Sequence, residues 1–444
     1  MNSPSKVALS AEPHRPYIGG QAVLEGVMMR SPKSFAVVVR RRNGSLHVRE
    51  KAMADGRTGA AKLPLWRGVM AIVESVKLGS EALRFSAEQM ERDLDALDKE
   101  DHATKKTVPR SGGGVGASVV GLLKAASYTL FLLLSTGDDN AANANDANGA
   151  ARAPNDAELE KSECTPETTA GAGADGANKA KGNGSMVVML LLMIGFLIAL
   201  PQAAAAATAK LLGLNIGVQS AGFQAMTGAF KLVIVVGYLA LIRRALPDIR
   251  RVFQYHGAEH KTISTYEANE ALTVENARTK STLHPRCGTT FLVMVALVSI
   301  LVFTAIGSFL PKIETGKAVL NNVLFFLEKL PFLPVIAAIT FEIQRFFARH
   351  CTQGPLRALL WPGFLCQKIT TIEPTDDQLE VALAALQVTL FRENDIEQRA
   401  TRATSTMPTW VTPPSQQDSL ALADVNYQSF DALMSAPHLR NIGL

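Results

Sequence analysis

The chain has 444 residues, a net charge of +5, eight histidines and four cysteines. Hydrophobic residues make up 47% and charged residues 19%, below the roughly 25% of a typical soluble domain, and the mean hydropathy is positive at +0.12. This balance excludes disordered, collagenous and coiled-coil classes, a disulfide framework and a strongly nucleic-acid-binding composition. The expected class is an α-helical integral membrane protein of about four transmembrane helices with a small mixed α/β cytoplasmic N-terminal module.

Residues 1–16 read as a flexible polar tail, and 17–105 as the cytoplasmic α/β module. Within the module, Phe35–Arg42 and Ser45–Lys51 flank Asn43-Gly44, the pattern of a hairpin over 35–51 closed by a type I′ turn. Phe35, Val37 and Val39 alternate with Ala36 and Val38, so at least one face is buried. Helical periodicity follows at Val69, Ile72, Val73, Val76 and Leu83, giving an amphipathic helix able to rest on a membrane. No secretory signal is expected, because the first long apolar run begins near Val115. Residues 106–136 hold that run, Val115–Leu134, which is either an interfacial amphipathic helix or a span. Residues 137–185, rich in Ala, Asn, Asp and Gly, are expected to form a disordered linker.

The membrane core is assigned to 186–342. A helical span needs about twenty apolar residues, because backbone groups must find partners inside the bilayer. Met186–Ala206, Ala221–Ile242 (interrupted by Lys231) and Gly288–Leu310 qualify, while Val319–Phe341, with Glu328, Lys329, Pro331 and Pro334, is a kinked span or a short re-entrant pair. Arg243, Arg244, Arg250, Arg251 and Lys261 follow the second span, and Arg345, Arg349 and Arg357 follow the fourth. Basic residues mark the cytoplasmic side. The expected location is therefore the bacterial cytoplasmic (inner) membrane, multi-pass, with both termini and a histidine-bearing loop, 243–287, in the cytoplasm. Reduced thiols at Cys287, Cys351 and Cys366 fit that side. A cytoplasmic C-terminal segment spans 343–398. Its Pro374-Thr375-Asp376-Asp377-Gln378 string has the capping-box pattern, and Leu379, Leu383, Leu386 and Leu390 continue an amphipathic helix over 376–391. Residues 399–444 read as a second flexible tail.

Chemistry concentrates in "RVFQYHGAEHKTISTYE". His256 and His260 are four apart, hence adjacent on one helical face, and Glu259 lies between them. His-x-x-Glu-His is the inverted zincin spacing, in which two imidazoles bind a metal and the carboxylate serves as general base. A third ligand comes from His284 or Cys287 in "STLHPRCGTTF". The expected cofactor is a divalent metal, with zinc the first choice. Two further clusters are candidates to complete the pocket: Glu25 and Arg30 in "GGQAVLEGVMMR", or a tight turn into a strand; and Glu342 with Arg345, or an ion pair within one helix. "WPGFLCQKITTIEP" reads as a turn and an extended segment packed as a lid over the span ends.

The strings "GGQAVLEGVMMR", "FQYHGAEHKTI", "HPRCGTTF" and "PGFLCQKITTIEPTDDQLEVALAAL", in this order, resemble the YqhQ-like family of bacterial polytopic membrane proteins. The resemblance covers roughly residues 17–390 apart from the linker. It implies an inner-membrane location and a metal-dependent enzyme whose reaction the family does not supply.

Two functions follow as expectations. One is a membrane-embedded metal-dependent hydrolase with Glu259 as general base and Arg30 or Arg345 stabilising substrate charge. The other is a non-catalytic membrane scaffold or assembly factor, in which the same residues form a structural metal or His/Cys knot. A transporter is a more distant third, resting on Lys231 and the Glu328–Pro334 stretch. The partners expected are the lipid bilayer and a membrane-associated substrate or protein, with no nucleic acid.

Overall fold

The computed structural model describes residues 15–53, 66–104, 199–214, 216–311, 315–316, 318–350, 355–406 and 423–436. The expected segments Val115–Leu134 and 137–185, most of Met186–Ala206, and Cys351 lie outside them. An antiparallel sheet runs β1 (Gly19–Val23), β2 (Gly26–Arg30), β3 (Ser34–Arg40), β4 (Leu46–Ala52) and β5 (Ala423–Tyr427), in that spatial order. The hairpin 35–51 is present, but its turn is not type I′. Gly44 N–H bonds to Arg41 O, Arg41 N–H bonds to Ser45 O, and only Gly44 has a positive φ, +85°. Asn43 stays outside the left-handed region, giving a turn closed by a left-handed glycine, the longer hairpin alternative. Glu25, in the β1–β2 turn, takes a left-handed φ of 52°.

Both faces of the sheet are covered. Helix α1 (Trp66–Thr104) lays Leu78, Ala82 and Phe85 on Val23, Met28, Phe35, Val37 and Val39. The alternate residues Val27, Met29, Ala36 and Val38 join the main core, as a period of two requires. The buried face of α1 runs through Ala71, Ser75, Leu78, Ala82, Phe85 and Gln89, while Val73 and Val76, of the apolar stripe expected to be able to rest on a membrane, are exposed with Met70.

Helix α2 (Leu200–Leu211) precedes α3 (Ala221–Ala245), whose N-cap Ser220 side chain accepts from Phe223 N–H. Leu246 breaks the chain before α4 (Pro247–Glu267), which starts on a proline suited to a first helical turn. The expected loop 243–287 is therefore mostly helical, continuing through short α5 (Val274–Thr279) to α6 (Gly288–Ile306). Helices α3 and α6 are long and apolar enough to cross a membrane, and they expose Val233, Leu241 and Leu301 outward. Gly228 makes their close approach possible, because a Cβ there would lie 2.1 Å from Ile300 Cγ1. The stretch expected as a kinked span or a short re-entrant pair is two helices, α7 (Ala318–Lys329) and α8 (Phe332–His350), parted at Leu330-Pro331.

"WPGFLCQKIT" is helix α9 (Trp361–Thr370) rather than a turn, and residues 371–375 then run extended into α10 (Asp376–Thr406). Thr375 N–H donates to Gln378 Oε1 at 2.9 Å, one arm of the expected capping box. Leu379, Leu383, Leu386 and Leu390 are all buried against the sheet and α4. The expected flexible tail 399–444 is a poor description of its described part. Helix α10 continues to Thr406, β5 pairs with β4, and α11 (Phe430–Met434) buries Leu433. Val425 opposite Val48 and an Arg49–Asp424 bidentate pair supply the reason.

Candidate metal centre

Helix α4 carries His256, Glu259 and His260 on the face turned toward the start of α6. Gly257, between them, is a packing requirement: a Cβ there would lie 2.2 Å from Ile372 O. With hydrogen in that place the 371–374 segment lies along α4, and Ile372 N–H bonds to Phe253 O at 3.0 Å. This contact brings the carboxyl end of α9 to the first histidine, where His256 Nδ1 lies 3.0 Å from Thr370 O. The Nδ1–H donates to that carbonyl, leaving the Nε2 lone pair free to ligate. His260 is oriented likewise, its Nδ1 lying 2.5 Å from Thr282 O. Its Nε2 is buried without a hydrogen-bond partner.

Cys287 completes the group. As the N-cap of α6 it sits where the helix begins, 3.2 Å from His256 Nε2 and 3.0 Å from Thr289 Oγ1. One ligand atom from each of His256, His260 and Cys287 falls within 4.8 Å of the others, and all three residues are buried. Burial lowers the His256 pKa to about 4, against a smaller upward pull from the Thr370 carbonyl. His260 is also lowered, chiefly by burial. Burial alone pushes the Cys287 thiol up, but His260 and Thr289 outweigh it and bring the pKa below its ordinary value. Burial that disfavours charged imidazoles and contacts that bring the thiol below its ordinary value both lean toward the protonation states that ligation needs. A buried nitrogen lone pair with no partner and a donor set of two nitrogens and one sulfur fit a zinc-like ion.

Of the two candidates for the third ligand, Cys287 has the place and His284 does not. His284 Nε2 contacts Glu267 Oε2 at 3.3 Å, and its Nδ1 accepts from Arg286 N–H at 3.4 Å. It stands behind His260, ring centroids 5.7 Å apart, against 4.5 Å between His256 and His260. Its backbone is clamped by Gln367, whose Oε1 accepts from His284 N–H at 2.9 Å and whose Nε2 donates to His284 O at 2.7 Å.

A small cavity opens beside the trio, walled by Tyr17, Gly20, Glu259, His284 and Arg286, with room for one water-sized occupant. Gly20 is where the N-terminal glycine pair enters the site. A Cβ on it would stand 2.8 Å from Glu259 Oε1, so only glycine lets the carboxylate lie against β1. The other expected pocket residues are elsewhere. Glu25 forms a bidentate pair with Arg251 and meets Tyr255 Oη at 3.3 Å. Arg30 faces Glu74 of α1 at 3.5 Å. Glu342 pairs with Arg67 of α1 at 2.6 and 2.8 Å. Arg345 is buried in α8 and does not line the cavity. The guanidinium that does is Arg286, ion-paired with Glu267 and stacked 4.8 Å over the Tyr17 ring. Sequence reasoning missed Arg286, Gln367 and the Thr370 carbonyl. Arg286 stood in plain view between His284 and Cys287.

Residues 63–392, well over half of the chain, match a family described as "Protein of unknown function (DUF1385)". The chain belongs to that family. It is similar to the uncharacterised protein YqhQ of Bacillus subtilis (strain 168), 27% identical over 386 residues, which is 86% of this chain and 95% of the relative. No solved structure matches it. The family match encloses the histidine helix, Cys287 and the Gln367 clamp, whereas Gly20 lies before its first residue.

Proposed function

We propose that the chain is a membrane-embedded metal-dependent hydrolase acting at the cytoplasmic membrane surface. The observation that carries this reading is the convergence of His256, His260 and Cys287, with both imidazoles set by backbone carbonyls and Glu259 at the cavity beside them. Three protein ligands are the set that leaves an open position. A divalent ion supplies Lewis acidity there and lowers the pKa of water to about 7. Glu259 accepts a proton at its carboxylate, held against β1 by the absence of a side chain at Gly20. Arg286, in place of Arg30 or Arg345, offers the guanidinium nearest to a substrate anion.

Four spans, with both termini and residues 243–287 in the cytoplasm, complete the reading; the metal ligands then sit midway along α4 and where α6 begins. Cysteine-accessibility labelling of intact cells checks it. Reporters in α4 stay protected and a reporter at Thr315 is labelled; the reverse pattern overturns both the topology and the cytoplasmic site.

The burial of all three ligands also suits a structural knot in a scaffold protein, and Glu259 separates the two. Glu259→Gln keeps volume and hydrogen-bonding reach but cannot take a proton. A hydrolase loses complementation of a deletion strain with metal occupancy and insertion intact. Full complementation by Glu259→Gln, alongside failure of His256→Ala, leaves only the knot.

A further inference from the structure

A second polar cavity lies among the apolar helices, between α2, α3, α6 and the end of α7. Its wall holds Lys231, Lys329, Gln202, Gln224, Thr227 and Ser299 beside the apolar Phe303. Both lysines line it, and among the described residues no carboxylate does; the adjoining Glu328 is not part of the wall. Lys329 Nζ donates to Gln224 Oε1 at 2.6 Å and stands 4.3 Å and 5.1 Å from the Phe325 and Phe303 ring centroids. Lys231 has neither a hydrogen bond nor an ion pair among the described residues. Thr227 and Ser299 spend their hydroxyl hydrogens on the carbonyls of Phe223 and Ala296, and Gln224 spends an amide hydrogen on Val218 O. Among the described residues the two ammonium groups are the charged donors facing the space, with the Gln202 amide beside them.

Two cations turned into one cavity among apolar helices repel each other and have lost much of their hydration. Ionisable groups at such depth mark ligand sites by default. An anion of charge near −2 neutralises both and accepts from both, which is the chemistry of a phosphomonoester. Leu333, 39% exposed, lies at the cavity's edge, so an acyl chain has an apolar exit toward lipid. Lys231 precedes Arg243 by twelve helical residues, about 18 Å at 1.5 Å per residue, which sets this cavity apart from the metal centre.

We propose that this cavity binds a dianionic phosphate group, presented by a phosphomonoester lipid headgroup or as free phosphate, between Lys231 and Lys329. The test uses the full-length protein in phosphatidylcholine nanodiscs doped with phosphatidic acid or with diacylglycerol of the same chains, retained lipid being counted by native mass spectrometry. Wild-type protein retains phosphatidic acid at least tenfold over diacylglycerol. Lys231→Met/Lys329→Met removes the preference, each single variant weakens it, and Lys210→Met, at the exposed end of α2, keeps it. The double variant removes unpaired charge from apolar helices and is expected to insert; should it not, Lys231→Met alone carries the comparison. Inorganic phosphate is the second probe. If it displaces the lipid and by itself raises the melting temperature, the source is aqueous; if it does neither, the source is the lipid. No preference for phosphatidic acid together with no response to phosphate, or a preference undiminished in the lysine variants, overturns the proposal.

Discussion

The metal centre and the lysine cavity handle buried polarity in opposite ways. Around His256, His260 and Cys287 the chain supplies most of its own partners: Thr370 and Thr282 carbonyls fix the rings, Gln367 clamps the His284 backbone, and Glu267 holds His284 and Arg286. What remains over is one lone pair, on His260 Nε2. In the lysine cavity charge is the surplus, and side-chain hydroxyls turn away to their own helices. A surplus lone pair asks for a cation and surplus ammonium asks for an anion, so the unsatisfied remainder predicts the ligand at each place.

The largest expected effect breaks the first half of this comparison. Wild-type protein purified without chelator carries about one zinc-like ion per chain, and His256→Ala/His260→Ala carries none, as read by elemental analysis. Absence of stoichiometric metal from the wild type, with none taken up on titration, removes the metal centre altogether.

Next in size are the close approaches that build each region. Gly257→Val drives a side chain into the Ile372 carbonyl, and Gly228→Val drives one into Ile300. Overpacking of this kind costs about 1–3 kcal/mol, more where backbone must move, so Gly257→Val has the larger effect on denaturant midpoint. It also lowers metal occupancy, because the Thr370 carbonyl moves with the 371–374 segment. Gly228→Val leaves occupancy intact. Equal loss of metal in both variants means that the two regions are not independent.

Acid sharpens the contrast. With the His256 pKa lowered to about 4 in the folded chain and about 6.5 when unfolded, the unfolded state binds more protons between those values. Stability of the chelated protein is therefore greatest above about pH 6.5 and declines as pH falls toward about 4. Urea midpoints of wild type and His256→Gln, measured across that window, converge at the acid end if the imidazole is responsible.

How much of this was legible beforehand follows from what each signal depends on. Period-two alternation placed Phe35–Val39 in a strand, and leucine spacing placed 376–391 in a helix, because both patterns record burial directly. The helix spacing of His256 and His260 survived for the same reason, being a local property. Choosing Cys287 over His284, and Arg286 over Arg30 or Arg345, needed the path of the chain after Thr282 and the packing of α9, which no local pattern encodes. Val73 and Val76 belong to an apolar stripe that the described residues leave exposed, because such a stripe does not say whether protein or lipid will cover it. The strand at Ala423–Tyr427 was hidden by its polar composition, since an edge strand gains its place through backbone pairing.

The smallest expected effect tests which sulfur belongs to the site. Cys366 is buried in α9 with its thiol pushed up to about 12, first by burial and then by Cys287 nearby. A thiol held so high gives up its proton to a metal at greater cost, whereas His260 and Thr289 bring Cys287 below its ordinary value and lower that cost. Cys366→Ser buries a hydroxyl in apolar surroundings, at a cost of about 1–3 kcal/mol, moderated because a helical serine can bond back to the carbonyl one turn earlier. Its metal content stays at the wild-type value. Cys287→Ser changes volume just as little but exchanges an ionisable sulfur for a hydroxyl that stays neutral, and metal affinity falls steeply. Elemental analysis of both variants after dialysis against a weak chelator reads the difference. Metal retained by Cys287→Ser and lost from Cys366→Ser would reverse the assignment and move the site from the α6 N-terminus into α9.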